Sequence, residues 1–159
     1  MSGSHFKPPP LVVVNDSGAD VNAKGDKGST ALIRAAGVGN KDMAEMLIKA
    51  GADVNAKNYD KESSLTKVAH GYRNCGVVDR KNRNYKGTAE LLITAGADSG
   101  VALVEIIKKN SYLYSAEILI NAGADVNAKD SEGISVLTYA ILYGDKDMEK
   151  LLRAAGAKE

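Results

Sequence analysis

His70 and Cys75, five residues apart, are the two side chains of this 159-residue chain whose types suit a nucleophile and its base. Thiol–imidazole chemistry requires nucleophile, base and an orienting group to converge, and five residues of Gly-containing chain fix no such geometry. Cys75 therefore reads as a free thiol. Neither His70 nor the other histidine, His5, lies in a metal-ligand or nucleophile motif. Three Asp-x-Asn pairs, Asp20/Asn22, Asp53/Asn55 and Asp125/Asn127, offer hard oxygens. Calcium, however, takes roughly six to eight oxygens converging on one point, and pairs this far apart in sequence read instead as turn residues that satisfy backbone donors. Gly37-Val38-Gly39 follows a helical pattern and reads as a turn, not a phosphate cradle. No catalytic residue, metal or cofactor is expected.

The elements that carry these residues are set by repetition. Gly-Ala-Asp-Val-Asn-Ala-Lys occurs unchanged at Gly18–Lys24, Gly51–Lys57 and Gly123–Lys129, with shortened copies at Gly96-Ala97-Asp98 and Gly156-Ala157. The leading glycines stand 33, 45, 27 and 33 residues apart. A unit of this length cannot bury its apolar face alone, so it stacks on neighbours and builds an elongated surface that binds more readily than it catalyses. Within the first complete unit Thr30 is placed to cap one helix, Gly39-Asn40 to turn, and Gly51 to end a second helix. Leu32, Ala35, Ala36, Met43, Leu47 and Ile48 recur at helical spacing.

These motifs resemble the ankyrin repeat family, whose units read roughly Gly-x-Thr-Pro-Leu-His-x-Ala-Ala, a turn glycine, then Leu-Leu-x-x-Gly-Ala-Asp-Val-Asn. The resemblance runs from about Gly18 to the end and implies an all-α solenoid of about four stacked helix-turn-helix repeats with short hairpin-like fingers. The implied units are 25–57, 58–98, 99–129 and 130–159, preceded by residues 1–17 as a cloning remnant or partial N-terminal cap. The Thr-Pro-Leu-His block has become Thr30-Ala-Leu-Ile33, Ser63-Ser-Leu-Thr66 and Ser135-Val-Leu-Thr138. Cap residues survive in all three, while loss of the proline and histidine lowers expected stability by something like 1 kcal/mol per unit.

The second unit carries extra residues, placed between its helices around His70 to Tyr85. The third passes from Gly96-Ala-Asp98 through Ser99-Gly100 into a helix over Val101–Asn110, so its finger is expected to be missing. Ala44/Ile48, Ala89/Ile93 and Ala116/Ile120 occupy the helix positions that face the next unit, and Glu149/Arg153 replace them in the last. A polar outer face suits a terminal repeat, and the array is expected to end naturally at Glu159. At the other end Pro8-Pro9-Pro10 and Leu11-Val-Val-Val14 form half a repeat at most, either a makeshift cap or the remnant of further repeats.

In ankyrin-like arrays the fingertips and the exposed face of each first helix line a groove. Carried onto this chain, the resemblance implies partner-binding positions at Asp26, Lys27, Ser29, Arg34 and Val38 in the first unit. Tyr59, Asp60, Glu62, Lys67 and His70 follow in the second, and Ser131, Glu132, Ile134, Leu142 and Tyr143 in the last. Mixed charge with exposed tyrosines resembles interface composition; Leu142 and Tyr143 can equally pack beneath the helix turn. Residues 72–86 hold Arg73, Arg80, Lys81, Arg83 and Lys86 against Asp79 in a chain of net charge +1. Beside Tyr72 and Tyr85, this segment reads as a solvated loop or as a site for an acidic peptide, a phosphate or RNA.

Composition fits these readings. Apolar residues make up 44% and charged residues 26%, aromatics are one Phe and seven Tyr, and no apolar run reaches membrane-spanning length. A single cysteine excludes an internal disulfide and suits a reducing compartment. The expectation is a monomeric, non-enzymatic, cytoplasmic module that binds another protein along its concave face, with nucleic-acid binding or a structural spacer as alternatives.

Overall fold

The computed structural model describes residues 18–73, 84–109 and 113–158, the side chains of Tyr72 and Arg73 excepted. It contains four helix pairs: α1 (Ala31–Gly37) with α2 (Lys41–Lys49), α3 (Ser64–Arg73) with α4 (Tyr85–Thr94), α5 (Ser99–Lys108) with α6 (Leu113–Asn121), and α7 (Val136–Leu142) with α8 (Lys146–Ala154). Helix starts are capped by short polar side chains, which accept orphan amides of the first turn. Thr30 Oγ1 accepts from Ile33 N at 3.3 Å, Ser63 Oγ from Thr66 N at 3.3 Å and Ser135 Oγ from Thr138 N at 3.1 Å. The second helices end on glycines in the left-handed region, Gly51 at φ 88° and Gly96, Gly123 and Gly156 at φ 92°, where a side chain would be strained.

First helices form one layer and second helices another. α1 packs on α3, α3 on α5 and α5 on α7, while α2 packs on α4, α4 on α6 and α6 on α8. The shared leucine of each first helix (Leu32, Leu65, Leu103, Leu137) is fully buried, as are Ala44, Ala89 and Ala116 of the second helices. Glu149 and Arg153, which replace the inter-unit alanine and isoleucine in the last unit, instead pair at 3.1 Å. Among the described residues every regular element is helical. Isolated antiparallel bridges, Lys57 with Ser63 and Lys129 with Ser135, close the two complete fingers.

The recurring heptad ties the fingers into a ladder. Each aspartate turns its own finger, Asp20, Asp53 and Asp125 accepting at 2.9 Å from the amides of Asn22, Asn55 and Asn127. Each asparagine reaches the next unit. Asn22 Oδ1 accepts from Asp53 N at 2.7 Å, Asn55 Oδ1 from Asp98 N at 2.9 Å and Asn127 Oδ1 from Lys158 N at 2.9 Å. The third unit has no finger: Asp98 caps α5 through Val101 N at 3.1 Å, and Ser99 Oγ takes over the rung by accepting from Asp125 N at 3.4 Å. Glu105 of α5 fills the gap by receiving Lys57 Nζ at 2.9 Å and Thr66 Oγ1 at 3.3 Å.

Several sequence expectations are corrected. α5 begins at Ser99, two residues before the expected start, because Asp98 is itself the cap. His70 and Arg73 lie in α3 and Tyr85 and Lys86 in α4, so the second unit's extra residues partly lengthen its helices; 74–83 lie outside the described residues. Met43, read as part of the apolar face, is 46% exposed, although its register equivalents Thr88, Ser115 and Met148 are buried by the preceding unit. No described unit precedes α2.

Ser64 occupies the position that proline holds in the ankyrin pattern. It is fully buried, and among the described residues its hydroxyl has no partner. Ser64→Pro removes that orphan and presets the first helical φ. The expected result is a gain of about 1–2 kcal/mol in unfolding free energy, and a denaturant midpoint no higher than that of the parent chain would refute it.

Candidate functional site

Five of the surface positions expected from sequence converge. Ser29, Arg34, Val38, Lys67 and His70 line one hollow of about 340 Å³ between the first two units, floored by Ile33, Gly37 and Gly71. The floor is open because α3 approaches α1 through Gly71, which has no Cβ to meet the Gly37 carbonyl. A Cβ on Gly71 would run into the Gly37 carbonyl and stand 2.8 Å from the Tyr85 ring. Val38 at the rim is 51% exposed. On the fingertips, Tyr59 is 76% exposed, donates its amide to Lys27 O at 3.0 Å and lays its ring over Gly28, joining the first two fingers. Asp26, Lys27 and Asp60 are exposed beside it.

Glu62 departs from expectation. It is buried, and its carboxylate organises the wall of the hollow by receiving Asn58 Nδ2 at 3.1 Å, His70 Nδ1 at 3.0 Å and the Lys67 ammonium. Burial works against the ionised form, but hydrogen bonds from Lys67, Asn58 and His70 overcome it and hold the carboxyl at about 2. Glu62 is a positioning group and not a contact surface.

A second cluster joins the third and fourth units. Asp130 Oδ2 receives Lys108 Nζ at 2.8 Å and Tyr139 OH at 2.6 Å, and Lys108 Nζ stands 5.2 Å from the Tyr139 ring centroid. Hydrogen bonds from Lys108, then Tyr139 and the Ile134 amide, keep the Asp130 carboxyl far below its usual range. The same contact to Asp130 raises Lys108. Tyr143 stacks on Tyr139 at 5.9 Å and donates to Lys108 O at 3.3 Å. Of the two readings of Leu142 and Tyr143, Leu142 is 67% exposed and Tyr143 is both anchored and 47% exposed. Ser131 and Glu132 are exposed at the fingertip, and Ile134 is half-buried.

Sequence reasoning did not single out Lys108, Asp130 or Tyr139. The available signal was register: Asp130 stands where Asn58 stands in the second finger, and Tyr139 where Lys67 stands in its helix. In the basic segment, Arg80, Lys81 and Arg83 lie outside the described residues, as does the side chain of Arg73. Lys86 sits in the first turn of α4, 3.9 Å from Glu90, and Tyr85 is buried in the core. A buried ring offers no face on which a base could stack.

Among the described residues no group of three or more His, Cys, Asp or Glu is placed to hold a metal ion, and no helix is long and apolar enough to cross a membrane. The ankyrin repeat family model matches residues 27–59, which hold α1 and α2 and the α1 side of the hollow; α3, which supplies Lys67, His70 and Gly71, lies beyond the match. No curated protein matches the chain.

Proposed function

From the premise that this chain is an array of ankyrin-type repeats, we propose that it binds a protein partner along the surface formed by fingertips and first helices. Ankyrin repeats are generally protein–protein interaction modules, and the family is typically non-enzymatic. The observation that carries the reading is the convergence of Ser29, Arg34, Val38, Lys67 and His70 on one hollow, with the exposed Tyr59 packed on Gly28 next to Ser29. A second aromatic contact at Tyr143 lies in the last unit, so an extended segment of the partner spans several repeats. The surface mixes exposed apolar and charged side chains, the composition found at interface hot spots. The array acts as a monomer in the cytoplasm.

The test uses a partner captured from the source cell and then purified. Tyr59→Ala and Tyr143→Ala each weaken its binding by about tenfold or more, while Lys49→Glu on the rear helix α2 leaves affinity unchanged. Loss of binding only on the rear variant would overturn the reading. Titrating salt against binding to a single-stranded RNA separates the nucleic-acid alternative, for which affinity would fall steeply with salt.

A further inference from the structure

Units 2 and 4 solve the same electrostatic problem in the same way. In each, the first-helix residue at one register position, Lys67 or Tyr139, donates to an acid of its own finger, Glu62 or Asp130. Arg34 occupies that position in unit 1. The finger positions corresponding to Glu62 and Asp130 are Ser29 and Gly25 there, so neither carries an acid. Arg34 is consequently exposed, and among the described residues its guanidinium has no acidic partner and no hydrogen bond. Its side chain nevertheless lines the hollow. Glu62, the acid behind Lys67 and His70 of the lining, is already shared by Asn58, Lys67 and His70.

We propose that the hollow receives an Asp or Glu side chain of the protein partner, whose carboxylate supplies Arg34 with the acid that units 2 and 4 carry in their own fingers. A guanidinium presents a planar fork of donors that a carboxylate matches with two parallel hydrogen bonds. Ser29, whose hydroxyl has no partner among the described residues, stands at the same register as the missing acid and can donate a third. Val38 at the rim, 51% exposed, accepts an apolar residue adjoining the acid. The recognition element is therefore an acid next to an apolar residue in an extended segment. This inference rests on the concave-face reading above and names what that face selects.

The experiment is selection of a random displayed peptide library on the full chain, on Arg34→Ala and on Val38→Arg. Peptides enriched on the parent chain are expected to carry Asp or Glu at one fixed position. The best of them, synthesised, is expected to lose about tenfold in affinity on Arg34→Ala, on acid-to-amide replacement in the peptide, and on Ser29→Glu, which supplies the acid from within the chain. Combining Arg34→Ala with the amide peptide should add little further loss, since both remove one interaction. Ser29→Glu should leave the melting temperature unchanged or raise it, which separates an occupied Arg34 from a damaged fold. Peptides without a fixed acid that still depend on Val38 would overturn this inference and leave the groove reading standing. Peptides indifferent to Val38→Arg, or no enrichment at all, would count against the groove itself.

Discussion

Gly71→Ala lowers the unfolding free energy by about 2–3 kcal/mol, although alanine is the better helix former by about 1 kcal/mol. The cause is the approach of α1 and α3. A Cβ built on Gly71 overlaps the Gly37 carbonyl and stands 2.8 Å from the Tyr85 ring. The carbonyl is backbone and the ring is 95% buried, since Tyr85 is only 5% exposed, so neither can swing aside cheaply. Relief requires α3 to slide away from α1, which opens the first inter-unit interface and uncovers Leu32 and Leu65, both buried to 1% exposure or less. For a chain of this size the loss amounts to roughly 4–12 °C in melting temperature. The control is Gly37→Ala. Its new Cβ would meet Lys67 Cβ at 3.8 Å, an ordinary contact, so that variant should melt within a degree or two of the parent. Equal melting of the two alanine variants would remove the close approach from the account.

The second large effect lies in the acid range. With its carboxyl held at about 2 against an ordinary 4.5, Glu62 is depressed in the folded chain. A depressed acid stabilises the fold fully above the unfolded value, and that contribution disappears as pH falls through the folded value. The stabilisation is therefore complete above about pH 5 and drains away between about pH 4.5 and 2, by roughly 2–3 kcal/mol at most. Asp130 is depressed further, so its loss falls at still lower pH. Half-buried Glu45 and Glu149 are lowered as well, each mainly by its lysine or arginine neighbour. The discriminating measurement is a difference: urea unfolding of Glu62→Gln and of the parent chain from pH 7 to 2. The variant should be less stable at pH 7, and the gap should close as pH falls. A gap that persists unchanged at pH 2 would mean that shape, and not charge, makes Glu62 important.

Both effects sit in the wall of the proposed groove, and the two roles constrain each other. Gly71 keeps the floor of the hollow low, and Glu62 keeps Lys67 and His70 in fixed positions along its side. Arg34 is left outside that arrangement. Its backbone is held in α1 while its guanidinium is unmatched among the described residues, so a partner that supplies the opposite charge gains a new ion pair for the ordering of one side chain.

The repeat, its helical spacing and the ends of the elements follow from residue order alone. Thr30, Ser63 and Ser135 act as caps and Gly51, Gly96, Gly123 and Gly156 as stops because these are local effects: a cap bonds an amide three residues away, and a left-handed glycine answers to its own backbone. The missing third finger was legible for the same reason, since chain length between Gly96 and α5 leaves no room for one. The candidate surface was only partly legible. Ser29, Arg34, Val38, Lys67 and His70 were placed by register, but their meeting in one hollow depends on how close α1 comes to α3, and that distance is set where Gly71, lacking a Cβ, meets the Gly37 carbonyl far away in sequence. Burial was decided the same way. Glu62 reads as a fingertip charge like Glu132, yet Asn58, Lys67 and His70 enclose it, whereas Ile134 holds the matching place in unit 4 and Asp130 takes over the role of acid. Periodicity records which face a residue occupies. Only the packing of neighbouring units fixes which charges on that face find partners inside the chain and which remain for another molecule.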